Sequence, residues 1–151
     1  MNTLMIFPLA ALALAVSAYA YLAKRQPEYP NARVIAVFTL LGGGLGGLLV
    51  LLVLLPIGLV EQQSLGELWR LGMALGVVIG TLPAALCGVL LAFLRAAYSG
   101  ENVALAVAAG ALASAAMGLV WAHDGIVAVW TACTGGLSAA ILSAIVLPKA
   151  L

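Results

Sequence analysis

Five apolar runs free of ionisable side chains constrain this chain more than any other feature. They cover residues 4–23, 34–60, 71–93, 103–122 and 126–147, and none holds an Asp, Glu, Lys, Arg or His. A bilayer core about 30 Å thick takes about 20 apolar residues to cross as a helix. Lipid offers no hydrogen bonds, so each run must satisfy its own backbone, and a helix does so. The expectation is an all-α fold: a polytopic membrane bundle of five transmembrane helices, with residues 1–151 forming a single transmembrane domain. Only 7% of the residues are charged and 66% are hydrophobic, whereas a soluble domain carries about 25% charged residues. Most of the outer surface must then be apolar, and the lipid bilayer is the first partner expected. The net charge of +1 leaves no electrostatic footprint for nucleic acid.

The first run has a second reading. Ala18-Tyr19-Ala20 resembles a signal-peptide cleavage site, but such a peptide carries positive residues ahead of its apolar stretch. Here Lys24, Arg25 and Arg33 follow it instead. The run is read as a retained helix with its N-terminus outside. Alternating through five crossings then gathers Lys24, Arg25, Arg33, Arg95 and Lys149 on one side and leaves Arg70 alone on the other. Basic residues in short loops mark the cytoplasmic face, so the C-terminus is expected in the cytoplasm and the membrane is taken as the plasma, or inner, membrane. Aromatic residues follow the same division. Trp69, Trp121 and Trp130 fall near the outer boundary, and Tyr19, Tyr21, Tyr29 and Tyr98 near the inner one, as interfacial rings do.

Local signals mark several helix ends. Ser64-Leu65-Gly66-Glu67 has capping-box spacing ahead of the third run. Pro27 and Pro30 keep the first inner connection extended. Asp124-Gly125 reads as a tight outer turn, which makes the fourth and fifth helices an antiparallel hairpin. The second run is long for its task. Its excess calls for tilt, a kink at Pro56 or an emergent outer end. It also holds Gly42, Gly43, Gly44, Gly46 and Gly47. Glycine costs up to about 1 kcal/mol per helical position, so this cluster implies close backbone approach or a loosened helix.

Small residues recur at every fourth position. The third run carries Gly72, Gly76, Gly80, Ala84 and Gly88; the fourth Ala106, Gly110, Ser114, Gly118 and Ala122; the fifth Thr131, Gly135, Ala139 and Ser143. Helices in lipid gain no hydrophobic energy by meeting, so dispersion packing must hold them, and small residues let backbones approach. A four-residue step advances about 400°, so a ladder drifts about 40° per step. Such a ladder crosses its neighbour at an angle, or meets one neighbour at the top and another at the bottom. It packs the bundle itself, or it forms a seam with a second copy or a larger membrane-protein partner.

Candidate chemistry is sparse. Intramembrane ionisable groups mark proton relays and ion paths, and their absence argues against both. His123 has no histidine partner for haem and too few neighbours for zinc, so no cofactor and no metal is expected. His123-Asp124 reads as a polar outer turn, with a pH sensor as the alternative. Cys87 and Cys133 fall at depths of about 24 and 10 Å from the outer ends, too far apart for a disulfide. Pro83 is the main candidate. It removes a donor and leaves the carbonyl of Ile79 without its usual partner, with Thr81 placed to compensate. Broken helices near the midplane hold substrates in many transporters. Thr131, Thr134 and Ser138 of the fifth run can line the same space.

Length and helix count resemble those of the translocator-type tryptophan-rich sensory proteins. The three tryptophans give no ring-lined pocket, so no ligand or residue is carried over from them. Two functional classes follow. The first is a non-catalytic membrane protein acting through helix contacts, as an accessory subunit, scaffold or self-assembling protein. The second is a small oligomeric transporter or channel using Pro83, the glycine cluster and the hydroxyl face of the fifth helix. An enzyme is not expected, because no acid, base and nucleophile converge.

Overall fold

The computed structural model describes residues 6–54, 65–123 and 125–148. Five helices follow one another: α1 (Ile6–Arg25), α2 (Asn31–Leu54), α3 (Leu65–Phe93), α4 (Gly100–Ala122) and α5 (Gly125–Val146). There is no strand among the described residues. All five helices are long and apolar enough to cross a membrane, the make-up of an integral membrane protein. The outward side chains agree: Leu40, Leu112 and Ile126 are each about 70% exposed, a surface suited to lipid rather than water.

The helices extend past the uncharged runs by one to six residues where polar side chains can reach the interface. α3 begins at Leu65 and passes through Pro83 without a break. Ser64, Pro56 and Asp124 lie outside the described residues, so the capping box, the outer kink and the aspartate of the outer turn are not described. α4 is capped by Ser99, whose Oγ accepts from the Asn102 amide at 3.3 Å, and Asn102 Nδ2 donates to the Ala97 carbonyl at 2.8 Å. It ends at His123, in the left-handed region at φ 52°.

The end of α3 has an unusual residue choice. Ala96 N–H donates to the Leu91 carbonyl and Arg95 N–H to the Ala92 carbonyl, at 3.0 and 3.1 Å. This is a Schellman closure, whose left-handed position glycine normally fills. Here Arg95 fills it, at φ 51°, at a backbone cost of about 1–2 kcal/mol.

Packing divides the bundle into two zipped hairpins, α2 with α3 and α4 with α5, with α1 laid chiefly on α3. In the first hairpin all five rungs of the α3 ladder meet α2. A Cβ at Gly72 would meet the Leu51 side chain; one at Gly76 would lie 2.6 Å from both Gly43 O and Gly47 Cα; one at Gly80 would lie 3.0 Å from Gly43 Cα. Ala84 faces Gly42, and a Cβ at Gly88 would lie 2.6 Å from Phe38 Cβ. The ladder therefore serves one neighbour along its length, not one above and another below. It does so because α2 answers with its own four-residue row, Leu51, Gly47 and Gly43, and then slips to Gly42 and Phe38. Paired four-residue ridges are the geometry of helices that cross at an angle. The second hairpin repeats the device. A Cβ at Gly110 would lie 2.7 Å from Ala139 Cβ, Gly135 faces Ser114, and Gly118 faces Thr131 and Ala128.

The core sits at one end. Leu22, Val34, Phe38, Leu91 and Ser143 are almost wholly buried there, where α1 ends, α2 begins, α3 ends and α5 ends. Polar contacts tie the connections together at this end. Tyr29 Oη donates to the Ala96 carbonyl at 2.6 Å, and Tyr98 N–H donates to the Pro148 carbonyl at 2.7 Å. Arg33 reaches the Ile145 carbonyl at 3.4 Å. Tyr29 is thus half-buried and clamps two connections, where the interfacial reading had it as a boundary ring.

Candidate functional site

Toward the other end the two hairpins stand apart and leave a cavity of about 350 Å³. Its walls come from four helices, α2 to α5, and they follow from the ladders. Glycine rows remove side chains from the hairpin seams, so the inner faces of α2 and α3 are bare backbone at Gly42, Gly43, Gly46, Gly47, Gly72, Gly76 and Gly80. Larger residues close the space: Phe38, Cys87 and Leu142 toward the core, and Leu51, Met117 and Val127 toward the opposite end. Cavities of this size are at the lower end of those that hold small molecules.

Most of the residues singled out from the sequence meet here. Pro83, Thr131, Thr134 and Ser138 all line the cavity, as do the ladder residues Gly72, Gly76, Gly80, Ala84, Gly110, Ser114, Gly135 and Ala139. Gly88 and Gly118 stay in the seams. Ile79, whose carbonyl loses its usual donor at Pro83, lines the cavity beside the proline. No ionisable carboxylate, amine, guanidinium or imidazole is among the lining residues.

Thr81 departs from expectation. It does not line the cavity, and its buried hydroxyl has no hydrogen-bond partner, so it does not compensate for the donor lost at Pro83. Two residues are about 200° of helix. With Pro83 facing the cavity, Thr81 turns into the α2–α3 seam, where its methyl and amide lie against Gly43.

The hydroxyls of α5 are held on their own helix. Thr131 donates to Ala128 O at 3.0 Å, Thr134 to Trp130 O at 3.1 Å, and Ser138 to Thr134 O at 2.7 Å. Each donor is thereby used, while the hydroxyl oxygens keep acceptor capacity. The cavity is an apolar space with a few acceptors along one wall. It suits a small neutral molecule, above all one with a hydrogen-bond donor. A charged solute would forfeit its hydration with no counter-charge, at a cost of several kcal/mol.

Cys87 closes the cavity toward the core, buried and donating weakly to the Ala106 carbonyl at 3.5 Å, while Cys133 is exposed elsewhere; both are free thiols. His123 Nδ1 lies 3.0 Å from Leu119 O at the end of α4, a capping contact. No cluster of metal-binding side chains occurs among the described residues. Phe38, Met117 and Leu142 were not legible as cavity residues, because nothing distinguishes an inward from an outward Leu in helices apolar all round. Comparison with other proteins adds no identification: no family model, no curated protein and no solved structure matches the chain.

Proposed function

We propose that the chain spans the membrane five times, N-terminus outside and C-terminus cytoplasmic, and takes a small neutral solute into the cleft between its hairpins as a small transporter or channel. One observation carries this reading. The cavity brings the proline of α3 and the hydroxyl face of α5, distant in sequence, to the walls of one uncharged space. Pro83 leaves the Ile79 carbonyl without its helical donor at the cavity wall although α3 stays continuous, and backbone groups freed in this way hold substrate in transporters. The orientation rests on the basic residues: Lys24, Arg25, Arg33 and Arg95 belong to the segments that meet at one end of the bundle.

The ladders give little support to a partner seam, because their rungs are filled from within the chain. An accessory or self-assembling role would use the outward apolar faces instead. Native mass in gentle detergent tests the accessory role: co-purification with a larger unrelated protein supports it, and a chain running without one must act by itself.

A Val50→Cys variant offers the direct test, since Val50 lines the cavity and is half-buried, whereas the native Cys87 is only 2% exposed. In a Cys87→Ser, Cys133→Ser background, methyl methanethiosulfonate, small and neutral, should modify the thiol of Val50→Cys in intact membranes, and an anionic reagent of similar size should not. Gly46→Leu should slow the reaction by about tenfold or more. A Cβ there meets only Ser138 Oγ, at 3.7 Å, so the larger side chain occupies the cleft and spares the seams. No modification, or a rate indifferent to Gly46→Leu, refutes the reading.

A further inference from the structure

At the basic end, apart from the solute cavity, a second cleft of about 420 Å³ is lined by Arg25, Gln26, Pro27, Glu28, Tyr29 and Arg95. It lies where α1 and α3 end, which in a membrane-spanning chain is the depth of the lipid headgroups. Its two cations come from the last residue of α1 and from the turn that closes α3. Arg25 holds its guanidinium 5.2 Å from the centre of the Tyr21 ring, a cation–π distance. Tyr21 in turn stacks on Phe93 at 5.8 Å, and both rings are about half exposed, an aromatic floor facing the bilayer. Arg95 occupies the left-handed position that glycine normally takes. A strained backbone residue is a reason to ask what its side chain does.

The charges in this cleft are not spent on one another. Among the described residues no ion pair joins Glu28 to Arg25 or Arg95. Gln26 donates at 3.4 Å to the Phe93 carbonyl, while its Oε1 is buried without a protein partner. A buried acceptor without a protein partner has a lone pair open to a donor from water or a ligand. Two cationic donors, a carboxylate and an orphan acceptor lining one cleft are the complement of a zwitterion.

We propose that this cleft binds the headgroup of one phospholipid carrying a primary amine, a phosphoethanolamine, with the phosphate held by Arg25 and Arg95 and the ammonium by Glu28. Guanidinium forks suit phosphate oxygens, and the ammonium brings N–H donors to the Glu28 carboxylate and to Gln26 Oε1. A choline headgroup has no N–H, and a glycerol headgroup leaves the carboxylate without a counter-charge. The site is independent of the solute cavity.

Native mass spectrometry of the full chain, released from nanodiscs of equal phosphatidylethanolamine, phosphatidylglycerol and phosphatidylcholine, tests it. One phosphatidylethanolamine should be retained over either competitor by about tenfold or more. Arg95→Gly should lower that retention by about tenfold or more. Its unfolding midpoint in lipid-free detergent should stay equal or rise, because glycine fits the left-handed backbone. Glu28→Gln should shift retention toward phosphatidylglycerol. Preferential retention of phosphatidylglycerol by the wild-type chain, or undiminished retention by Arg95→Gly, overturns the proposal. So does displacement of the lipid by millimolar inorganic phosphate, which would identify a soluble anion as the occupant.

Discussion

Adding one methyl group at Gly76 probes the seam between α2 and α3 where backbone packs on backbone. A Cβ there would lie 2.6 Å from Gly43 O and from Gly47 Cα. Both are backbone atoms, so no side chain can swing away. Ordinary contact begins near 3.4 Å, and the helices must part by about 0.8 Å. A gap of that size forfeits a quarter to a half of each contact's attraction. If the seam makes on the order of 40 atom contacts at about 0.1–0.2 kcal/mol each, the loss is about 1–4 kcal/mol. Alanine returns up to about 1 kcal/mol through helix propensity. Gly76→Ala should therefore destabilise the bundle by about 1–3 kcal/mol. Gly46→Ala makes the same chemical change with open space around it, and should be neutral or stabilising by up to about 1 kcal/mol. Reversible unfolding in mild detergent with rising sodium dodecyl sulfate, followed by circular dichroism, measures both. Gly76→Ala as stable as wild type would refute the argument, and so would equal destabilisation by the two substitutions.

Three further expectations follow from other parts of the molecule. Cysteine labelling at Asn2 and Lys149 should find the first outside and the second in the cytoplasm; finding both on one side would exclude five crossings. Pro83→Ala should leave the fold intact, since α3 is already helical through this position, yet change glycerol entry into proteoliposomes several-fold; unchanged flux in a working assay would move the solute site elsewhere. Tyr29→Phe removes the hydroxyl that clamps two connections and should cost about 1 kcal/mol. Burial raises the Tyr29 phenol above its usual 10.0, so the unfolded chain ionises first and stability falls as pH rises past that value. A wild-type chain that loses no more stability than Tyr29→Phe between pH 9 and 11 would show that this phenol is not the group responsible.

Much of this protein could be read from its residues one stretch at a time. Uncharged runs of bilayer length give the helices, because lipid leaves a backbone no partner but itself. Boundaries at Phe93 and Ala122 fall where the uncharged runs end, while α1 continues two residues past its run, through Lys24 to Arg25. The four-residue ladders announce close packing, since only small side chains let backbones approach as Gly43, Gly47 and Gly76 do. The short connection at Gly125 made α4 and α5 neighbours, and they do pack together; the other pairings were beyond the sequence. Every run offers small residues and every run is apolar all round, so no stripe points at one neighbour. Tertiary structure alone sends the whole α3 ladder to α2, because α2 carries a matching row. It also turns Thr81 into a seam and Pro83 toward a cavity, a difference of about 200° around one helix. The cavity itself comes from that pairing. Two hairpins zipped through glycine meet firmly at the end where Phe38, Leu91 and Ser143 fill the space, and stay apart where glycine leaves nothing to fill it.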